Sequence, residues 1–174
     1  MRVANLILVL PLLLGATAPA AVVSDVADAP HVHVELKVLP QALTAGKPAQ
    51  AGILFKIEPG WHVYWKNAGD AGEPPHIRWT LPDGIRAGEL EFPAPKRLPL
   101  GPLMDFGYED EVLFPFSFDV PKSSRPGPAI LDAKVSWLVC REVCIPGKAE
   151  LGMRVMLAAS APSSPTTSST RPNQ

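Results

Sequence analysis

Val112-Leu113-Phe114-Pro115-Phe116-Ser117-Phe118-Asp119-Val120 sets Val112, Phe114, Phe116, Phe118 and Val120 at every second position. Successive side chains of an extended strand point to opposite faces, so this stripe buries one face of a β-strand. Pro115 lacks a backbone donor, which predicts an edge position or a bulge there.

The same period runs outward in both directions. Toward the N-terminus it appears at Val32, Val34, Leu36 and Val38, and again at Ala51, Ile53, Phe55 and Ile57. Pro59-Gly60 then marks a turn between neighbouring strands, and alternation resumes through Trp61, Val63 and Trp65, with His62 and Tyr64 on the other face. After a Gly/Pro-rich loop over Asn67 to Pro75, further strands are predicted at Ile77 to Leu81 and at Ala87 to Phe92. Toward the C-terminus, Leu131, Ala133, Val135, Trp137 and Val139 lead into Cys140, and Leu151, Met153, Val155 and Leu157 form a last strand. Pro93 to Tyr108, rich in Pro, Leu and Gly, reads as an irregular loop and a candidate lid. Seven or eight short strands, no helical period and 21 prolines predict an all-β fold, an immunoglobulin-like antiparallel β-sandwich.

The ends and the charge bound the setting. Met1-Arg2, the apolar run from Val3 to Leu14 and the small residues Ala18-Pro19-Ala20 have the pattern of a secretory signal peptide over residues 1–20. Asn5 and Pro11 interrupt the run, which is shorter than the roughly twenty residues of a spanning helix, so no membrane anchor is expected after cleavage. No cysteine follows it, which argues against a lipoprotein. Residues 21–30 read as a linker, 31–157 as the sandwich, and 158–174 as a disordered Ser/Thr/Pro tail or the stub of a longer linker. Export predicts the periplasm, where disulfides persist. A formal net charge of -1 with no basic run excludes nucleic acid and acidic lipid as expected partners, leaving proteins.

The two cysteines, Cys140 and Cys144, flank only Arg141-Glu142-Val143. A closed ring of about five residues contributes roughly 2 kcal/mol by loop entropy, little use as a brace. In a straight strand residues four apart are about 13 Å from each other, beyond the roughly 7 Å reach of a disulfide, so the chain must turn. A hairpin connection and a helical turn both satisfy that requirement. Arg141 would lower a neighbouring thiol's pKa and Glu142 would raise it. Other readings of the pair are a structural hairpin disulfide in a non-catalytic protein-binding sandwich, or Cu(I) handling by two thiolates. His31 and His33 read as solvent-facing positions rather than ligands, and no metal or organic cofactor is expected. No Ser/His/Asp pattern, phosphate loop or second cysteine pair is present.

Several motifs in order resemble a known family. Gly60-Trp61-His62-Val63-Tyr64-Trp65-Lys66-Asn67, Trp79-Thr80-Leu81-Pro82-Asp83-Gly84, Phe92-Pro93-Ala94-Pro95, Gly107-Tyr108-Glu109, and Trp137-Leu138-Val139-Cys140 with Cys144-Ile145-Pro146-Gly147 are similar to the amino-terminal periplasmic domain of DsbD-type thiol:disulfide interchange reductases. The resemblance implies an immunoglobulin-like sandwich whose cysteines relay electrons to periplasmic thioredoxin-like or disulfide isomerase proteins. It implies a separate membrane thiol reductase as donor. By position, Cys144 resembles the attacking thiol and Cys140 its resolving partner. His62 and Tyr64 match an aromatic strand that shields or supports the sulfurs, and Glu142 lies beside them in the loop. Phe106 is the counterpart expected for the aromatic residue of the family's cap loop. The best-known members space their cysteines more widely than this chain.

Overall fold

The computed structural model describes residues 24–39 and 42–160. The expected signal peptide, the start of the linker and the tail beyond Ser160 lie outside the described residues. Twelve strands are found there, and no helix: β1 (Val26–Ala29), β2 (Val32–Leu39), β3 (Ala42–Thr44), β4 (Ala49–Ile57), β5 (Val63–Gly69), β6 (His76–Thr80), β7 (Arg86–Ala87), β8 (Lys96–Leu100), β9 (Leu103–Tyr108), β10 (Glu111–Asp119), β11 (Gly127–Cys140) and β12 (Cys144–Ala158). They form three sheets, ordered β1-β2-β4-β10-β7, β3-β12-β11-β6 and β5-β9-β8. All pairings are antiparallel except the short parallel contact of β3 with β12.

The predicted stripes form the core. Val34, Leu36, Ile53, Phe55, Phe114 and Phe118 from the first sheet meet Leu131, Ala133, Val135, Val139, Leu151 and Val155 from the second, all of them buried. Phe55 ties the layers together, its ring edge-on to Phe114 at 5.5 Å and to Trp137 at 5.3 Å. Edge-to-face rings add attraction beyond the apolar area they remove from water.

Pro115 sits in β10 opposite Gly52 of β4. Its carbonyl accepts from Glu91 N–H at 2.8 Å on the other side of the strand. In an antiparallel strand a residue's nitrogen and carbonyl face the same way, so the missing donor falls on a side without a full ladder. That accounts for the edge character read from the sequence.

Four expectations need correction. The turn at Pro59-Gly60 forms, with Gly60 at φ 82°, but the strands it joins part: β4 stays in the first sheet while β5 enters the third. The strand expected over Ala87 to Phe92 is regular only at Arg86–Ala87, the rest being strung along β10 by single bonds such as Gly88 N–H to Ser117 C=O at 2.8 Å. The expected linker contributes β1, paired to β2 from Val26↔Glu35 to Ala29↔Val32. The segment read as an irregular lid is a hairpin, β8 and β9, joined at Gly101-Pro102 with Gly101 at φ 58°. A positive φ at the first central position is what a tight hairpin turn of matching twist requires. Tyr108 anchors the hairpin's base, its hydroxyl donating to Pro93 C=O at 2.7 Å.

Strands β11 and β12 are also longer than predicted. They pair without interruption from Gly127↔Leu157 to Cys140↔Cys144. Gly147 permits this, because a Cβ there would lie 2.3 Å from the ring of Trp137, which crosses over it.

Candidate functional site

The last rung of the β11–β12 ladder is the cysteine pair itself. Of the two ways to turn, the chain takes the hairpin: Cys140 lies directly opposite Cys144, and Arg141-Glu142-Val143 is the connection. The two are joined by a disulfide with a Cα–Cα separation of 4.1 Å. On its other side Cys140 exchanges two backbone bonds with His62, N–H to C=O in each direction at 2.9 Å. With its polar groups committed to His62, Cys140 meets Cys144 as a non-hydrogen-bonded pair, the class in which opposing residues approach most closely.

The two cysteines differ in exposure. Cys140 is 1% exposed, whereas Cys144 opens to solvent together with the three loop residues.

Beneath Cys144 lies Tyr64, 1% exposed, with its hydroxyl oxygen 3.6 Å from the Cys144 sulfur. Burial, with the nearby charge of Asp105 adding to it, pushes the phenol up to about 12. Tyr64 therefore keeps its proton and can donate toward sulfur throughout the neutral range. The segment after β5 crosses the Tyr64 ring at Gly72, where a Cβ would sit 2.2 Å from the ring carbons and φ is 88°. Only glycine fits so close an approach in that backbone conformation.

His62 sets its ring edge-on to Tyr64 at 5.1 Å. Desolvation lowers its pKa, the charges of Asp105 and Glu109 partly opposing the shift, so the ring favours the neutral form. Its Nε2 is buried with no partner among the described residues.

Asp105, which sequence reasoning missed, is fully buried on β9. One carboxylate oxygen accepts from Ala71 N–H at 2.9 Å and the other has no partner among the described residues. A buried carboxylate with an open lone pair is expensive unless neighbours compensate it, so its place beside His62 and Tyr64 marks the site. The signal was a lone acid in the apolar stretch Leu103-Met104-Asp105-Phe106, unreadable while that stretch counted as a loop.

The remaining predicted residues fall as follows. Phe106 is half-buried on β9, its ring 6.4 Å from Trp65. Glu142 is exposed in the connection, and Arg141 turns back with its guanidinium 5.2 Å from the Trp61 ring. Two surface clefts, about 420 and 440 Å³, are lined by other residues, including Trp79 and Phe92 in one and Arg78 and Lys148 in the other. Among the described residues no group of three or more His, Cys, Asp or Glu is placed to hold a metal ion, and no helix is long and apolar enough to cross a membrane.

The chain is similar to the N-terminal periplasmic domain of ScsB from Proteus mirabilis, with a TM-score of 0.58 at 21% identity over 75% of this chain. It spans 50% of that longer chain, and at this identity the likeness speaks for the fold. A weaker likeness, TM-score 0.41 at 7% identity over 73% of this chain and 94% of the other, is to the GAE domain of yeast GGA1. No curated protein matches. Residues 31–154 match the family described as thiol:disulfide interchange protein DsbD, N-terminal. That match covers every motif of the site, from His62 to Cys144, and the disulfide joins its two cysteines. The chain thus belongs to the DsbD N-terminal domain family, whose general chemistry is thiol:disulfide interchange.

Proposed function

We propose that this chain is a periplasmic electron relay that passes two reducing equivalents at a time from a membrane thiol reductase to thioredoxin-like or disulfide isomerase proteins. The observation that carries the reading is the unequal exposure of the two cysteines, Cys144 exposed and Cys140 1% exposed. In the reduced state the Cys144 thiolate attacks one sulfur of the acceptor's disulfide. The acceptor's S–S bond breaks, its second sulfur leaves as a thiolate and takes a proton, and Cys144 is held in a mixed disulfide. The Cys140 thiolate then attacks the Cys144 sulfur and expels the acceptor's first sulfur. The acceptor leaves as a dithiol, and the domain as the disulfide seen here, to be reduced again by its donor.

Two neighbours support these steps. The protonated Tyr64 hydroxyl donates toward Cys144 and stabilises its thiolate through a charge-assisted bond. The His62 ring, kept neutral by burial, packs edge-on to Tyr64 beside the pair, and its backbone is bonded to Cys140.

Trapping separates the roles. Cys140→Ser, mixed reduced with an oxidised periplasmic thioredoxin-like protein, should accumulate the mixed disulfide, because the second attack is missing. Cys144→Ser should trap none, and equal trapping by both variants overturns the assignment.

A further inference from the structure

The connection Arg141-Glu142-Val143 contains no glycine, all three residues are exposed, and a single backbone bond spans it, Arg141 N–H to Val143 C=O at 3.1 Å. Once the S–S bond opens, little within the loop itself keeps its ends together. The exception is the Arg141 side chain. Its guanidinium carbon lies 5.2 Å from the centroid of the Trp61 ring, and a Cβ built on Gly60 would be 3.6 Å from its Cδ, so the stem runs along bare backbone. Among the described residues no carboxylate forms an ion pair with Arg141, which leaves the indole as its recorded partner.

The indole is a fixed seat. Trp61 is 6% exposed and belongs to the core cluster. The His31 ring stacks on it at 3.7 Å and 8°. His31 occupies φ 63°, uncommon for any residue but glycine, in the turn between β1 and β2. It is held there by its Nδ1 against a Glu58 carboxylate oxygen at 2.7 Å and by Glu58 N–H donating to its carbonyl at 2.9 Å. A chain of contacts therefore runs from the β1–β2 turn through Trp61 to the residue that follows Cys140.

We propose that Arg141, seated on the Trp61–His31 stack, is a positioning residue for the cysteine pair: its contact with the indole is made in full only when the loop is closed, and so favours ring closure. The inference rests on the pair being one that opens and closes. In closure the two thiols lose two protons and two electrons as the S–S bond forms, and an external disulfide takes them as its own S–S bond breaks into two thiols. The seat is complete in the closed loop and is loosened when the cysteines separate, so losing it should shift the equilibrium toward the dithiol.

The test equilibrates the full chain with mixtures of oxidised and reduced dithiothreitol at pH 7 and counts free thiols by alkylation and mass shift. A cation–π contact whose cation stays in solvent, as exposed Arg141 does, is worth about a two- to fivefold change in an equilibrium constant. Arg141→Met should weaken ring closure by about that factor, a potential about 9 to 21 mV less negative at 29.6 mV per tenfold. Arg141→Lys, which keeps the charge but not the flat guanidinium, should shift it less. In a Trp61→Phe background the Arg141→Met shift should shrink, because the seat is already impaired. Should Trp61→Phe fail to fold, His31→Ala takes its place and should give a smaller shift of the same sign. An Arg141→Met potential equal to the parent's overturns the proposal, and so does a shift undiminished in the second background, which would mean the charge acts alone. Because dithiothreitol replaces any protein acceptor, the result is independent of the relay: a chain that shifts as expected yet traps no acceptor keeps the seat and loses the relay.

Discussion

Two buried regions lie a few strands apart and are built on opposite plans. Between the large sheets, Phe55, Phe114 and Trp137 pack edge to face among aliphatic side chains, and the region is apolar apart from one indole nitrogen. Beneath the hairpin tip, Tyr64, His62 and Asp105 are also buried, yet among the described residues His62 Nε2 and one Asp105 oxygen lack partners. Apolar packing of the first kind lowers the free energy of the fold, whereas polar groups left short of partners raise it. The second region therefore carries a cost in stability, and it lies next to a sulfur.

The contrast is broken most forcefully from the apolar side. Phe55→Ala removes a fully buried ring that touches both sheets and should cost about 3–5 kcal/mol, read as a lower urea midpoint, while the folded fraction keeps the parent's redox potential. A variant that changed the potential as much as the stability would show that the two regions are one. Tyr64→Phe acts on the polar side. It should change stability by about 0.5–1.5 kcal/mol and slow alkylation of reduced Cys144 by up to about tenfold near neutral pH, since the thiolate loses its donor. Stopped-flow thiol modification checks the rate and denaturant melts the stability.

The smallest effect is the dependence on acid. Because burial lowers the His62 pKa, the unfolded chain binds more protons than the folded one over the window from its ordinary value near 6.5 down to its folded value. Stability should then fall as pH drops through that window. His62→Asn should flatten the part of the decline due to this residue, by at most about 1.4 kcal/mol per pH unit, in melts at pH 7, 6 and 5.

Much of the scaffold was legible, because the residues of β2, β4, β10, β11 and β12 that face the core alternate with period two and are large. The third sheet was not. Of its hairpin, Leu98, Asp105 and Tyr108 are buried and no side-chain stripe runs through it, so it forms by backbone pairing and a two-residue turn whose signal, Gly101-Pro102, was submerged in a Pro-rich stretch. Strand β1 escaped for a similar reason: Val26 to Ala29 bury little, and their place is fixed by pairing with β2. At the site, the cysteine spacing announced a turn and its chemistry, but not its form. The burial of Asp105 depends on the segment from Gly69 to Ala71 folding back onto β9, a non-local event that no window of sequence contains.

Strand β12 starts at Cys144 and ends at Ala158, a run of fifteen residues. At about 3.3 Å per residue that is an arm of nearly 50 Å, paired with β11 from Cys144 to Leu157. Whatever is joined after this strand is attached at the opposite pole from the disulfide. A tether there leaves the disulfide end of the domain unobstructed.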